Sequence, residues 1–452
     1  MTDRSDTGGM STPSLPARSR RHHGLGFWAI AFAFLTVMAF STVPTPLWSL
    51  YRERDGFSAF VVTLVFAAYA VGVVVSLFLA GHVSDWHGRR RVLVPALVMN
   101  VLAGVVFLLW PDLPGLVIAR VLTGVGTGVV TATATVWLAE LHAAHRPEEG
   151  SRRPQVVATA ANLGGIGFGA LVSGVLAQWF AGPLALPYVV FVVALLLALV
   201  LALATPETRA AASPRPRYRP QRVAVPAQAR GRFFAAATGA LVAFAAFGLF
   251  TSLAPSFLAG TLHQPSLALA GAASFAVFGA AVLAQVLTAT RGVRQLLAAG
   301  VPIMLLGLVL VVVAVWLPTP SLAAFLGGGI LAGAGAGLIF KGAVGTTVAV
   351  STDDSRAEAL AGLFLAGYIG LAGPVVGLGV LTLFTTPRIS LLVFAGLLAV
   401  AVVVVAPALL RHPATSIEAT EVADAGRHRD ETGADRHEAL AAGGGLPGRV
   451  QH

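Results

Sequence analysis

Four charged residues lie in or beside long apolar runs and could do chemistry there: Arg120, Glu140 and Lys341 within the runs, and Asp85 in a loop next to one. Lys341, in the stretch GLIFKGAV from Gly337 to Val344, is the only lysine in a Lys+Arg count of 30. A cation in an apolar run can snorkel to a polar surface, hold an anion or, for lysine, take up and release a proton. The carboxylates can pair with arginines or carry protons. Cysteine is absent, so a disulfide, a thiolate metal site and a thiol nucleophile are all excluded. No Ser/His pair, paired carboxylates or HExxH arrangement appears within the runs, and no P-loop appears anywhere. The chain therefore does not read as an enzyme or as an ATP-driven machine, and no metal site or cofactor is expected.

The elements that must position these groups follow from composition. Hydrophobic residues make up 56% of the chain, charged residues 11%, and the mean hydropathy is +0.81, against about 25% charged residues in ordinary soluble domains. The partner this implies is the lipid bilayer. A net charge of +10 does not point to nucleic acid, because the arginines fall in short breaks between apolar runs and not among aromatics on one face. A helix crossing about 30 Å of hydrocarbon needs about 20 apolar residues, and only a helix satisfies its own backbone there. Twelve stretches qualify: 26–47, 60–80, 92–110, 116–141, 156–180, 186–204, 233–258, 267–287, 296–317, 322–350, 359–383 and 389–410. The first is read as an uncleaved span, because it is long and lacks a small-x-small cleavage pattern.

The expected fold is an all-α integral membrane protein of twelve helices in two pseudo-symmetric six-helix bundles. Residues 1–24 form a tail, 25–205 the first bundle, 206–232 a Pro- and Arg-rich linker, 233–410 the second bundle, and 411–452 a disordered tail. With the N-terminus in the cytoplasm, Arg89 to Arg91, Arg146, Arg152, Arg153, Arg291, Arg294, Arg356 and the seven arginines from Arg209 to Arg232 face inward. Only Arg52, Arg54 and Arg388 face out, so the positive-inside bias puts both termini in the cytoplasm and the protein in the plasma (inner) membrane. A shift of 209 residues lays LTGVGTG (Leu122 to Gly128) on LAGAGAG (Leu331 to Gly337), Pro46 on Pro255, Phe66 on Phe275 and Tyr69 on Phe278. Two repeated halves place a pathway between them.

The loop GHVSDWHGRRRVL, Gly81 to Leu93, has glycines for a tight turn, a carboxylate suited to a helix N-terminus and three arginines. It resembles the G-x-x-x-D-R-x-G-R-R loop of the major facilitator superfamily at Gly81, Asp85, Gly88, Arg89 and Arg90, with Trp86 replacing an arginine. ARVLTGVGTG is similar to that family's R-x-x-x-G-x-G segment, through Arg120, Gly124, Gly126 and Gly128. GIGFGALVSG is similar to its degenerate antiporter segment, through Gly165, Gly169 and Gly174, and span eleven carries a version with Gly373, Pro374 and Gly377. PET, Pro206 to Thr208, closes span six as it often does in the family.

The resemblance implies a secondary transporter that works by alternating access as a monomer, with the drug or small-molecule proton antiporter branch as its nearest relation. Proton-coupled export of a small organic molecule is the leading expectation. Uptake of a sugar or organic anion is the alternative, and a non-transporting receptor or assembly factor is the alternative of another class. The resemblance makes the Asp85 loop an inward gate, with Glu140 placed to pair with Arg89 across it. The paired glycines Gly124/Gly128 and Gly333/Gly337, spaced i, i+4, read first as helix packing. Arg120 reads as snorkelling to the outer headgroups or as serving proton or anion movement. Trp48, Tyr69, Asn162, Gln285 and Tyr368 are taken as cavity contacts from depth alone. Lys341 shares a stripe with Gly329, Gly333, Gly337 and Gly345, a face open enough for a cavity, and is expected there as the coupling or substrate-charge residue.

Overall fold

The computed structural model describes residues 17–80, 83–209, 219–221, 229–352 and 355–410. The twelve expected spans are twelve helices long and apolar enough to cross a membrane: Arg21–Asp55, Ala59–Ala80, Arg89–Leu109, Leu113–His145, Arg152–Trp179, Leu186–Ala204, Arg230–Ser252, Leu267–Leu287, Val293–Trp316, Leu322–Ala349, Glu358–Leu381 and Pro387–Leu410. They are called spans one to twelve below. The end carrying the loops after spans two, four, eight and ten is the inner end, and the opposite end the outer one. Span six shows why the helices need lipid. Tyr188, Phe191, Leu195 and Ala198 are buried, while Val193 and Val200, on its other face, are each 61% exposed. An apolar face of this kind is stable only in hydrocarbon.

One core is built within the first half, from Phe27 in span one to Ala202 in span six. A second runs through the second half from Val242 to Val402, and takes in Phe66, Tyr69, Ala70, Val73 and Leu163 from the first. The repeat is visible in the packing. A side chain on Gly124 of span four would place its Cβ 2.2 Å from the Tyr69 carbonyl oxygen of span two, and one on Gly333 of span ten 2.3 Å from the Val277 carbonyl oxygen of span eight. At Gly128 the obstacle is the Ser76 hydroxyl at 2.1 Å, and at Gly337 it is Ala281 at 2.9 Å. Small residues here let two helices touch backbone to backbone.

Spans one and seven break at matching places. Span one consists of Ala17–Ser41 and Pro44–Asp55, and span seven is followed, after Leu253, by the short helix Ala254–Gly260. Pro44, Pro46 and Pro255 lack the N–H a continuous helix would use. Thr45 N reaches back to Thr42 O at 3.0 Å, not to Ser41 O, so the turn tightens. Span five carries a five-residue π turn, Ala160–Gly164, between the helices Arg152–Thr159 and Gly165–Trp179. Such turns widen a helix locally and commonly accompany functional sites.

The bundles meet along the outer half. Cβ atoms on Gly174 and Gly271 would lie 2.4 Å from Leu267 O and 2.3 Å from Ala170 O, so spans five and eight are in backbone contact. Thr45 Oγ1 donates to Thr251 O at 3.0 Å, Arg52 Nη1 to Ser256 Oγ at 3.0 Å, and Leu267 N to Gln178 Oε1 at 2.8 Å. Gly379 of span eleven closes on Thr63 of span two, where a Cβ would lie 2.3 Å from the hydroxyl.

Candidate functional site

Beneath that outer contact is a cavity of about 120 Å³ between the bundles. Ser41, Thr42 and Thr251 line its outer part, at the breaks in spans one and seven, and Thr131, Thr159, Gln285, Phe340 and Phe364 carry its wall toward the inner end. Tyr69 and Phe278, which coincide under the repeat, both line it. Aromatic rings make much of the second bundle's wall. Phe247 stacks on Phe278 at 4.8 Å, and Phe244 meets Phe340 at 5.0 Å and Tyr368 at 5.5 Å, both edge to face.

Arg120 is the one charged side chain among the described lining residues. It is 2% exposed, so it does not snorkel to the outer surface. The reason is the break in span one. With Thr45 N turned to Thr42 O, the Ser41 carbonyl is available, and Arg120 Nη1 donates to it at 2.6 Å. The guanidinium carbon lies 4.6 Å from the Tyr69 ring centroid and 5.5 Å from that of Phe66. Its Nε is buried without a hydrogen-bond partner.

At the inner end a charged network joins the loop after span two to the end of span six. Arg89 donates through Nη2 and Nε to Glu140 at 2.8 and 3.2 Å, and through Nη1 to Asp85 at 2.7 Å and Ser84 at 2.8 Å. Glu140 also accepts from the Thr208 hydroxyl. The pair therefore links spans three and four inside the first bundle instead of crossing to the second. Glu207 had no place in the sequence reading beyond the PET segment. Its carboxylate accepts from the backbone N–H groups of Arg89 at 2.9 Å and Arg90 at 3.0 Å, capping span three. Gly88 makes this possible with φ +94, and a Cβ there would fall 2.8 Å from Glu207 Oε2. Arg209 Nε donates to Asp85 O at 3.1 Å, completing the tie to the linker. Gly81 lies outside the described residues. On the loop after span four, a hydrogen bond from Arg146 holds the Glu149 carboxyl below its ordinary range.

Of the cavity residues expected from depth, Tyr69, Asn162, Gln285 and Tyr368 line the wall. Asn162 is carried there on the π turn, a feature that apolar periodicity does not reveal. Trp48 does not line it. The break at Thr42 and Val43 starts a new helix, and Trp48 on it is 1% exposed in the first bundle's core, 6.0 Å from Tyr51. Lys341 is also off the described wall, although its neighbour Phe340 is on it. Gly333 and Gly337 of the span-ten stripe pack on span eight, and one turn further Lys341 meets the inner end of that span. There Lys341 Nζ donates to Gln285 O at 2.6 Å and Thr288 O at 3.4 Å, two carbonyls of the helix's final turn.

Two span-five glycines lie against span one. Cβ atoms on Gly165 and Gly169 would lie 2.7 Å from Met38 Cβ and 1.9 Å from Ala39 O of span one. Gly373 does not pack, since a side chain there would meet nothing within 4 Å and the residue is exposed beside Pro374. The close approach in span eleven is made by Gly370, where a Cβ would lie 2.1 Å from Leu241 O.

A family model for the Major Facilitator Superfamily matches residues 29–317. Among curated proteins, the chain is 31% identical over 89 residues to the arabinose-proton symporter of Bacillus subtilis (strain 168), covering 20% of this chain and 19% of that one. It is 25% identical over 153 residues to the putative metabolite transport protein YwtG of the same organism, covering 32% and 33%. It is 35% identical over 77 residues to monosaccharide-sensing protein 1 of Arabidopsis thaliana, covering 17% and 10%. The chain thus spans a third or less of the length of each of these relatives. Among solved structures, a mutant of the peptide transporter POT aligns with TM-score 0.66 at 13% identity, over 88% of this chain and 98% of that one. A mutant of the nucleoside transporter NupG aligns with TM-score 0.65 at 12% identity, over 86% and 99%. At these identities the two structures establish the fold.

Proposed function

The chain belongs to the Major Facilitator Superfamily, and on that premise we propose how this secondary transporter works: it moves a small organic molecule through the cavity between its bundles, and its conformation here faces inward. The observation that carries this reading is an asymmetry along the bundle interface. The outer half is bound by backbone contact at Gly174 and Gly271 and by the Thr45, Arg52 and Gln178 hydrogen bonds, whereas the cavity wall extends toward the inner end through Thr131, Thr159 and Phe364. The positive-inside bias of the arginine-rich loops supports an inner end, and both termini, on the cytoplasmic side of the plasma membrane. Rocking one bundle against the other would part the outer contact and expose the same site outside.

The resemblance of the span-five glycine segment to the family's antiporter segment supports proton-coupled export, with the Asp85 loop, Glu140 and Glu207 as the inner gate. A second reading, proton-coupled uptake, is favoured by the local match to an arabinose-proton symporter. Absence of native cysteine allows a clean test. Single cysteines at Thr63, under the outer contact, and at Phe364, on the inner wall, are labelled with a membrane-impermeant maleimide from each side of oriented vesicles. Alternating access makes Thr63→Cys react slowly from outside and Phe364→Cys from inside. A Thr63→Cys that never reacts means no outward-open state exists, and the reading fails. Solute flux under an imposed pH gradient then assigns direction.

A further inference from the structure

We propose that the cavity is an organic-anion site: a small carboxylate or similar oxyanion binds through the Arg120 guanidinium, with its apolar or aromatic body against the rings of the second bundle. This inference rests on the transporter reading for its setting and adds the substrate class. The charge balance of the wall is its first support. Among the described lining residues there is one cation and no Asp, Glu, Lys or His. Arg120 is almost fully buried, Nη1 is committed to Ser41 O at 2.6 Å, and Nε has no partner. A buried donor on a charged group is costly to leave unmatched, and a guanidinium edge fits two oxygens of an oxyanion. The Tyr69 and Phe66 rings offset part of that cost through their π faces, without supplying an acceptor for Nε.

The rest of the wall argues against a polyhydroxylated ligand. The hydroxyls of Thr42, Thr131 and Thr251 donate to the carbonyls of Ile166, Thr127 and Phe247, and the Gln285 amide donates to Gly337 O. These donors are spent on the protein's own backbone. A sugar could turn to Asn162 and Tyr368, but it would leave Arg120 unmatched and would press hydroxyls against Phe244, Phe247, Phe278 and Phe340. A cationic ligand would face the guanidinium without a counter-charge. The volume of about 120 Å³ is on the scale of the ~150 Å³ apolar cavity that takes up one benzene. A single ring or short chain bearing one carboxylate matches charge, wall and size together.

The test uses purified full-length protein with benzoate, its neutral isostere benzamide and the cation benzylamine, together with the aliphatic pair butyrate and butyramide. Thermal unfolding and equilibrium binding are measured for each. The expected result is that at least one carboxylate raises Tm in a dose-dependent way while its amide and the amine do not. Arg120→Gln should weaken that carboxylate by about thirty-fold or more, the scale for removing one partner of a buried charged contact. Arg120→Lys should retain part of the affinity and the preference for anions. If Arg120→Gln fails to fold, the ligand series on the parent and Arg120→Lys carries the test. A flat response to all five compounds, equal stabilisation by an amide or the amine, or unchanged affinity in folded Arg120→Gln overturns the proposal. Two-sided cysteine labelling that alternates while no carboxylate binds would remove the anion assignment alone. Carboxylate binding without alternation would remove the transport reading alone.

Discussion

Arg89 grips Glu140 with two nitrogens, Nη2 to Oε1 at 2.8 Å and Nε to Oε2 at 3.2 Å, and so ties span three to span four at the inner end of the first bundle. Asp85 receives only the remaining Nη1, and its side chain is 46% exposed against 25% for Glu140 and 2% for Arg89.

The two carboxylates should therefore differ in weight. Glu140→Gln leaves the buried Arg89 with a weaker partner and removes an acceptor of the Thr208 hydroxyl. It should cost about 1–3 kcal/mol, on the scale of a partly buried charged hydrogen bond. Asp85→Asn, at a largely solvated contact, should cost under about 1 kcal/mol. Thermal unfolding of both variants in one detergent measures this, and equal losses would refute the ranking. If the loop has the gating role proposed for it, transport by Asp85→Asn should still fall several-fold.

Gly88 is under two constraints at once, a left-handed φ of +94 and the Glu207 carboxylate 2.8 Å from where a Cβ would be. Gly88→Ala should destabilise by about 1–3 kcal/mol through backbone strain alone. Adding Glu207→Ala to it should recover the steric part of the loss and leave the strain. A double-mutant cycle showing full recovery would place the whole cost in the contact with Glu207.

Lys341 closes the end of span eight through Gln285 O and Thr288 O. On that geometry Lys341→Met keeps the stem's packing, loses two hydrogen bonds and lowers stability by about 1–2 kcal/mol. The pH dependence of transport should not change. A loss of proton coupling in a variant of normal stability would restore the coupling role expected from sequence.

The difference between what was legible and what was not is clearest at these residues. Twelve spans, the repeat and the packing glycines Gly124, Gly128, Gly333 and Gly337 follow from run length and spacing, because hydrocarbon thickness and close helix contact leave few alternatives. Facing is a tertiary property. The stripe shared by Lys341 and the glycines marked an uncrowded face, which a cavity or a packed helix satisfies equally, and span eight occupies it. Arg120 looked superficial because it is near the start of span four. Its burial depends on a carbonyl 79 residues earlier, left available where span one breaks and Thr45 N turns to Thr42 O. Depth along a continuous helix points Trp48 at the cavity, but span one breaks before reaching it. Depth points to Asn162 as a wall residue, but nothing in the composition AANLG announces the π turn that carries it there. Glu207 reads as an ordinary linker carboxylate until span three's N-terminus is found against it.

The outer contact offers a direct handle on the conformational equilibrium. A Cβ on Gly174 would lie 2.4 Å from Leu267 O and 3.3 Å from Ala268 Cα, both backbone atoms of the opposite bundle that cannot turn aside. Gly174→Leu should thus oppose the inward-facing state specifically, because spans five and eight separate at this end when the bundle rocks outward. Each 1.4 kcal/mol of differential strain shifts the two populations tenfold, so about 3 kcal/mol would invert a preference of about ten to one. In the labelling assay, Thr63→Cys should react at least about tenfold faster from outside in the Gly174→Leu background, and Phe364→Cys correspondingly slower from inside. A Gly174→Leu protein that folds and labels like its parent at both positions would mean that the bundles do not part at this contact, and the outer seal would have to be placed elsewhere.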